Sequence, residues 1–566
     1  MNRLPQELVE KVCSFLPKDD LENVLTLSRP FWSAAERYSG AFAKFTIIER
    51  NAENFLALYS GHRLALLREV VFRPSFDPIH YDPKGEEDPP CRENAEQLRE
   101  KDESFTQQIQ FLFKTLKSIE GDSNDGNTRG TYRLSIYSPV RLVDFEVLEW
   151  DCLHNAHVSW RVHLLHPEKL PLICFVRSFE LYNEGCGDEN RHHYSEPRGL
   201  NPTHFEAVES KLDLRVLLDL AMKFPELEFL GIKTGGHEWH RYRADDRPVE
   251  WFEHDWEGPR RDSRHDFAKL IQAPEFQLPS SLRRASLDFM SPIERTIDIH
   301  HEKYMPNLIT PSAIDPFSSS LLLLSRNLRQ LRIRAVVDQS LFCPESDHVS
   351  AWFNLEVLEI MFHIARPDGG WYFHGPGGEQ GDTDKSQLCE EAYPPFETSE
   401  FDRKAHDAQE AYGGKCSQDG NNQFRIMPHE PSLVPLLEGF ARATARIPSL
   451  KTATIWSPSG WDINDDYSDL FEYDFPETTD TAWGIIYAAP HQPTNDRPCR
   501  LLDWLFPQWR PSPELHERFK QIGREKYGEE LVEIWEDEPI EASDIRRCRF
   551  TELILPNDPG HIAFKN

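Results

Sequence analysis

The sequence predicts an α/β protein in which a short N-terminal helical module precedes an irregular solenoid of helix, turn and strand units with long loop insertions. Three observations lead there. Proline-bounded helical stretches crowd the first 40 residues, a short apolar pattern recurs between residues 67 and 455, and 566 residues exceed what one hydrophobic core usually organises.

In the module, Pro5 suits the first turn of a helix, where its missing N–H would have no partner, and Glu7 complements the positive helix end. Leu8, Val12, Phe15 and Leu16 recur at helical spacing and predict one buried stripe, stopped by Pro17. Asp19 with Glu22 three residues later is a variant capping box for a second helix, whose apolar face is Leu21, Val24, Leu25 and Leu27. Pro30 opens a third helix carrying Phe31, Trp32, Ala35 and Tyr38, and Gly40 closes it. So small a unit buries too little surface to stand alone and needs a partner or a neighbour. Lys44 to Ile48 reads as a strand leaving it, so a packed junction with the following chain is expected.

Leu4-Pro5-x-Glu7-Leu8, Phe15-Leu16-Pro17, Asp20-Leu21, Leu27-Ser28-Arg29 and Phe31-Trp32 together resemble the F-box in order and spacing, with Arg29 where many members carry cysteine. The resemblance implies docking on the Skp-type adaptor of a Skp, cullin and F-box ubiquitin ligase, and on the cullin through it. By position it implies adaptor-binding roles for Leu4, Pro5, Leu8, Val12, Leu16, Leu21, Leu25, Leu27 and Trp32. A plain three-helix cap is the alternative reading of the same residues.

Beyond the module the pattern is apolar, two residues, apolar, one residue, apolar: Leu67-Val70-Phe72, Val176-Phe179-Leu181, Leu227-Leu230-Ile232, Leu282-Ala285-Leu287, Leu328-Leu331-Ile333, Leu355-Leu358-Ile360 and Leu450-Ala453-Ile455. Alternation at the last two positions marks a half-buried strand. Helical runs precede some of them, as in Leu214 to Phe224 and Val434 to Ala445, with Pro225 and Pro448 in the turns. These units resemble degenerate leucine-rich repeats. Their spacing runs from 27 residues (328 to 355) to 109 (67 to 176), against about 20–29 in regular arrays. The usual asparagine is also absent, with Glu184 standing three residues after Leu181. An unrelated α/β domain is the alternative.

Polar, Gly- or Pro-marked stretches at 73–104, 121–130, 183–204, 233–266, 366–424 and 456–500 are expected to be loops. Trp509 to Ile522 reads as a capped amphipathic helix closing the solenoid, and with Trp483 to Pro490 it is similar to the tails of large fungal F-box-like proteins. The expected division is 1–48 for the F-box, 49–500 for the repeat-like region and 501–566 for a helical cap and tail.

The net charge of −32 repels a phosphate backbone, so nucleic acid is not an expected partner. Residues 1–48 balance six bases (Arg3, Lys11, Lys18, Arg29, Arg37, Lys44) against six acids (Glu7, Glu10, Asp19, Asp20, Glu22, Glu36), so the excess lies beyond them. Ten cysteines form no C-x-x-C pair, no stretch approaches the roughly 18 apolar residues of a membrane span, and no secretory leader is legible. An intracellular protein, cytoplasmic or nuclear, is expected, without membrane partners.

No constellation for catalysis, cofactor or metal emerges. Asp462-x-Asn464-x-Asp466 begins like a calcium loop, but Tyr467 stands where glycine must turn the chain and Tyr473 cannot chelate. His192-His193 and His237 with His240 lack matching ligands, Gly369 to Gly381 lack a following Gly-Lys-Ser/Thr, and Ser457 and Ser459 lack the flanking glycines of a nucleophile elbow. The acidic run from Glu529 to Glu541 reads as a solvated face. Trp239, Trp251 and Trp256 are the expected aromatic anchors for a protein substrate, since such residues dominate binding hot spots.

Overall fold

A computed structural model describes residues 4–79, 93–122, 131–144, 160–183, 205–236, 256–291, 296, 299, 301, 305–343, 352–375, 392–397, 423–461, 479–506 and 509–536. Three short helices come first: α1 (Gln6–Phe15), α2 (Lys18–Val24) and α3 (Arg29–Ser39). The strands follow as β1 (Lys44–Ile47), β2 (Glu69–Phe72), β3 (Ser75–Ile79), β4 (Tyr132–Tyr137), β5 (Val140–Asp144), β6 (Val176–Tyr182), β7 (Phe205–Glu209), β8 (Phe229–Gly235) and β9 (Arg284–Ser291). They continue with β10 (Gln330–Ala335), β11 (Val357–Phe362), β12 (Phe373–His374), β13 (Met427–Pro428), β14 (Thr452–Trp461), β15 (Thr479–Ala488), β16 (Arg500–Leu505) and β17 (Leu531–Glu536).

One 12-stranded sheet dominates, ordered β1-β2-β4-β6-β8-β9-β10-β11-β14-β15-β16-β17. Neighbours from β1 to β14 are all parallel. β15 runs antiparallel to both β14 and β16, and β17 is parallel to β16. The register aligns the apolar pattern across the sheet: Phe179, Leu230, Ala285, Leu331, Leu358 and Ala453 form one row, and Leu181, Ile232, Leu287, Ile333, Ile360 and Ile455 another. A slip of one residue would turn a whole row to the opposite face, so burial fixes the pairing.

Parallel neighbours need crossovers, and helices supply several of them. α5 (Ala95–Asp122; α4 is Ala52–Tyr59) buries Phe105, Ile109, Leu112, Phe113 and Leu116 against the apolar rows. α6 (Arg215–Ala221), α7 (Glu257–Gln272), α8 (Pro316–Ser325) and α9 (Glu430–Ala445) do the same through Leu217, Phe267, Leu321 and Leu437. Each such aliphatic or aromatic side chain contributes roughly 1.5–3 kcal/mol when fully buried, so the continuous core is the main stabilising term.

The last two positions of every stretch read from the recurring pattern do lie on a strand, but the expected architecture of an N-terminal F-box and a leucine-rich-repeat-like solenoid is corrected. The chain forms a mixed α/β body on one large, mostly parallel sheet whose final strands reverse direction. The pattern reports one apolar face on a strand and carries no information about the length or direction of the next crossover. Several expected loops are also elements: 73–104 holds β3 and the start of α5, 233–266 holds the larger part of α7, and 456–500 holds the second half of β14 and all of β15. The helix expected after Ser512 is present as α10 (Pro513–Lys520), capped by the Ser512 side chain at the Leu515 amide.

The module's second helix begins at Lys18 after Pro17, one residue before the expected Asp19 cap, and no side chain caps it. Gly40 ends α3 at φ +69°, and a Cβ there would meet nothing within 4 Å. Gly40→Ala therefore carries a purely conformational penalty, expected to destabilise the module by about 1 kcal/mol in urea unfolding followed at Trp32.

Candidate functional site

α1 has two apolar faces one residue out of phase. Val9 and Cys13 point inward and form a small core with Leu21, Phe31, Ala34 and Ala35, separate from the core of the sheet. Leu8, Val12 and Phe15, at helical spacing, point outward with Leu4. Their exposures of 46% (Leu4), 50% (Leu8), 47% (Val12) and 77% (Phe15), with 47% for Leu27, make them the docking candidate of the module. Of the stripe expected to be buried, Leu8, Val12 and Phe15 are exposed and Leu16 alone packs against the small core, because Val9 and Cys13 fill the contact with α3 instead.

The adaptor-contact residues read from the sequence divide accordingly. Leu4, Pro5, Leu8, Val12 and Leu27 are on the surface. Leu21 is buried in the small core, and Leu16 and Leu25 are half-buried against it. Trp32 is half-buried at the junction, its ring 5.2 Å from that of His62.

That junction was not foreseen residue by residue. Glu36 of α3 is 4% exposed and accepts from Arg63 Nε at 3.1 Å and Nη2 at 2.6 Å, while His62 Nε2 lies 3.0 Å from its other oxygen. The Arg63 guanidinium covers the Phe42 ring at 4.5 Å and faces Trp32 at 5.8 Å. Burial pushes the Glu36 carboxyl up, but the hydrogen bonds from Arg63 and then His62 outweigh it and hold the group below its ordinary value. The helices are thereby tied to the segment leading into β2.

The sheet face opposite the core helices carries polar residues. Its rows run Ser135, Glu180, Gly231, Ser286, Arg332, Glu359, Thr454 and Tyr137, Tyr182, Lys233, Asp288, Arg334, Met361, Trp456. Arg133 pairs with Glu180, which also accepts from the Tyr182 hydroxyl, and the Tyr137 and Tyr182 rings stack at 5.3 Å. Arg73 lies 3.9 Å over Tyr137 and Lys233 lies 5.3 Å from Tyr182. Arg334 meets Asp288 at 3.1 Å, and Arg332 meets Glu359 at 3.4 Å. Burial pushes the Asp288 and Glu359 carboxyls up, and Arg334 and Arg332 offset this only in part. Toward β15 and β16 the same face turns apolar through Met361, Trp456, Ile486 and Leu505. None of these residues is exposed: Glu180, Asp288, Glu359, Met361 and Trp456 are buried and Tyr137, Lys233, Arg332 and Arg334 half-buried, so the charges are paired within the chain and the face offers no open docking surface. The signal for this face lay in the unmarked positions of the recurring pattern.

Of the expected substrate anchors, Trp256 is corrected: it is fully buried as the residue preceding α7 and offers no surface. Trp239 and Trp251 lie outside the described residues, as do His192, His193, His237, His240 and Asp462 to Asp466. Ser457 and Ser459 sit within β14, with no sharp strand-to-helix turn. Among the described residues no group of three or more His, Cys, Asp and Glu side chains could hold a metal, and no helix is long and apolar enough to cross a membrane.

No protein-family model matches this chain, and comparison with curated proteins finds no match.

Proposed function

We propose that the three N-terminal helices dock on a Skp-type adaptor, and through it on a cullin, so that the chain acts as a substrate receptor presenting a protein for ubiquitin transfer by other subunits. The observation that carries this reading is the exposed Leu4, Leu8, Val12, Phe15 and Leu27 face. It sits on a module whose charges balance within a chain of net charge −32, and an apolar patch of that kind is what a partner surface covers. The motif order of residues 4–32 supplies the class of partner. Presentation of a protein substrate and an intracellular setting, cytoplasmic or nuclear, belong to the same reading. In it the chain itself makes and breaks no bond.

Co-purification with the tagged full-length chain tests the proposal. A Skp-type adaptor is expected to be retained and to bring the cullin with it. Retention of the adaptor without cullin would favour an interaction scaffold working outside a ligase, and failure to retain any adaptor removes the receptor reading and leaves the helices as a scaffold surface or a plain N-terminal cap.

A further inference from the structure

Residues 392–397, Ala-Tyr-Pro-Pro-Phe-Glu, cross the first turn of α7 as a strap. The Ala392 carbonyl accepts from the Gly258 amide at 2.7 Å, replacing the side-chain cap that Trp256 does not provide. Glycine is required at 258: a Cβ there would lie 2.4 Å from the Tyr393 ring and 2.5 Å from the Ala392 oxygen. The Tyr393 hydroxyl donates to Asp262 Oδ2 at 2.7 Å and accepts from Arg261 Nη2 at 2.8 Å. Trp160 completes the seat, its indole stacked on Phe396 at 5.0 Å and 6° and on Tyr393 at 6.0 Å and 16°.

Two consecutive prolines between aromatic residues give an extended, low-entropy ligand of the type that aromatic-lined grooves capture. The strap fills its seat incompletely. Tyr393 remains 40% exposed and Phe396 44% exposed, and the buried Trp160 indole N–H meets no acceptor among the described residues. A core element would bury these rings; a tethered occupant need not.

We propose that Trp160, Gly258, Arg261 and Asp262 form a recognition groove for a partner segment with two prolines flanked by aromatic residues, and that the Tyr393–Phe396 strap holds it as an intramolecular competitor. Tyrosine at the first aromatic position is specified by the Asp262 and Arg261 pair, which a phenylalanine would leave without the hydroxyl. Because the strap belongs to the same chain, it competes intramolecularly, at an effective concentration that flexible linkage can bring to about the millimolar range, so a partner in trans gains access only as the strap lifts. This surface is independent of adaptor docking by the N-terminal helices.

The test uses the full-length chain and a fluorescent peptide with the sequence of residues 391–398, read by anisotropy. The strap variant Tyr393→Ala/Phe396→Ala is expected to bind the peptide at least tenfold more tightly than the unaltered chain. Adding Trp160→Ala to that variant is expected to remove the gain. Phe396→Ala alone, which takes away a half-exposed ring and leaves no core cavity, guards against a folding defect and is expected to give a smaller gain in the same direction. Equal affinity for the unaltered chain and both strap variants, or a gain that survives Trp160→Ala, overturns the proposal.

Discussion

The double variant Leu8→Glu/Val12→Glu is expected to weaken adaptor binding by about a hundredfold or more while the unfolding of the sheet body stays unchanged. Both side chains are about half exposed, so carboxylates there remain hydrated in the free chain and cost the fold little. At a closed interface the same carboxylates are desolvated at several kcal/mol, and the contact also loses roughly 1.5–3 kcal/mol for each apolar side chain it would have buried. A micromolar complex rests on about 8 kcal/mol and does not survive that loss. The matching control is Val9→Glu/Cys13→Glu, one position further along the helix. Those residues are buried in the small core, so this pair is expected to unfold the module itself, seen as lost helical ellipticity. Isothermal titration against purified adaptor, beside circular dichroism of both double variants, separates docking from folding. Unchanged affinity in the Leu8/Val12 variant would show that the docking face lies elsewhere.

That contrast also explains where the sequence misled. Val9 and Cys13 are as apolar as Leu8 and Val12 and share their spacing, so periodicity finds a helix with two candidate faces and cannot choose between them. The choice is made by what α3 offers: Phe31, Ala34 and Ala35 meet the Val9 and Cys13 side. In the sheet the reverse holds. Strand positions such as Leu331-Ile333 and Leu358-Ile360 have one apolar face each, the period of two leaves no second solution, and the strands were legible. β4 escaped because Leu134 and Ile136 have no leucine three residues before the first of them.

Polarity proved a poor guide to burial where charges are paired. α7 opens Glu-Gly-Pro-Arg-Arg-Asp and looks like a loop, yet Arg260 and Arg264 are buried, the latter pairing with Asp315 at 2.7 Å and lying 4.1 Å over the Phe317 ring. Lys101 in α5 is likewise buried against Glu93 at 2.6 Å. Composition registers such residues as solvent-facing, and only the partner, eight residues away for Lys101 and 51 for Arg264, makes their burial affordable. The Glu36, Arg63 and His62 junction is of the same kind, separated by about the length of the module itself. The resemblance of residues 4–32 to an F-box was visible as a string of residues, whereas the polar sheet face required the register.

Glu36 carries the second large expectation, because it joins two cores of very unequal size. The small core of α1 to α3 rests on six buried residues, Val9, Cys13, Leu21, Phe31, Ala34 and Ala35, whereas the sheet core runs from Ile47 to Ile522. Glu36→Leu removes the carboxylate that gathers Arg63 and His62, with a loss of about 2–3 kcal/mol, since Arg63 is 27% exposed and recovers part of its hydration. So small a module has little stability to lose, and the variant is expected to show a separate early unfolding phase for residues 4–40 in hydrogen exchange, with β2 to β14 unchanged. Acid acts through the same group. The folded-state value of the Glu36 carboxyl is depressed, so its stabilisation is complete above the ordinary glutamate value, near 4.3, and is lost as pH falls through the depressed value. The unaltered chain should therefore release the module below about pH 4, and Glu36→Gln should have lost most of that step already at neutral pH. A module that stays attached in Glu36→Leu, with unaltered exchange at α3, would place the coupling in the β1 to β2 pairing instead.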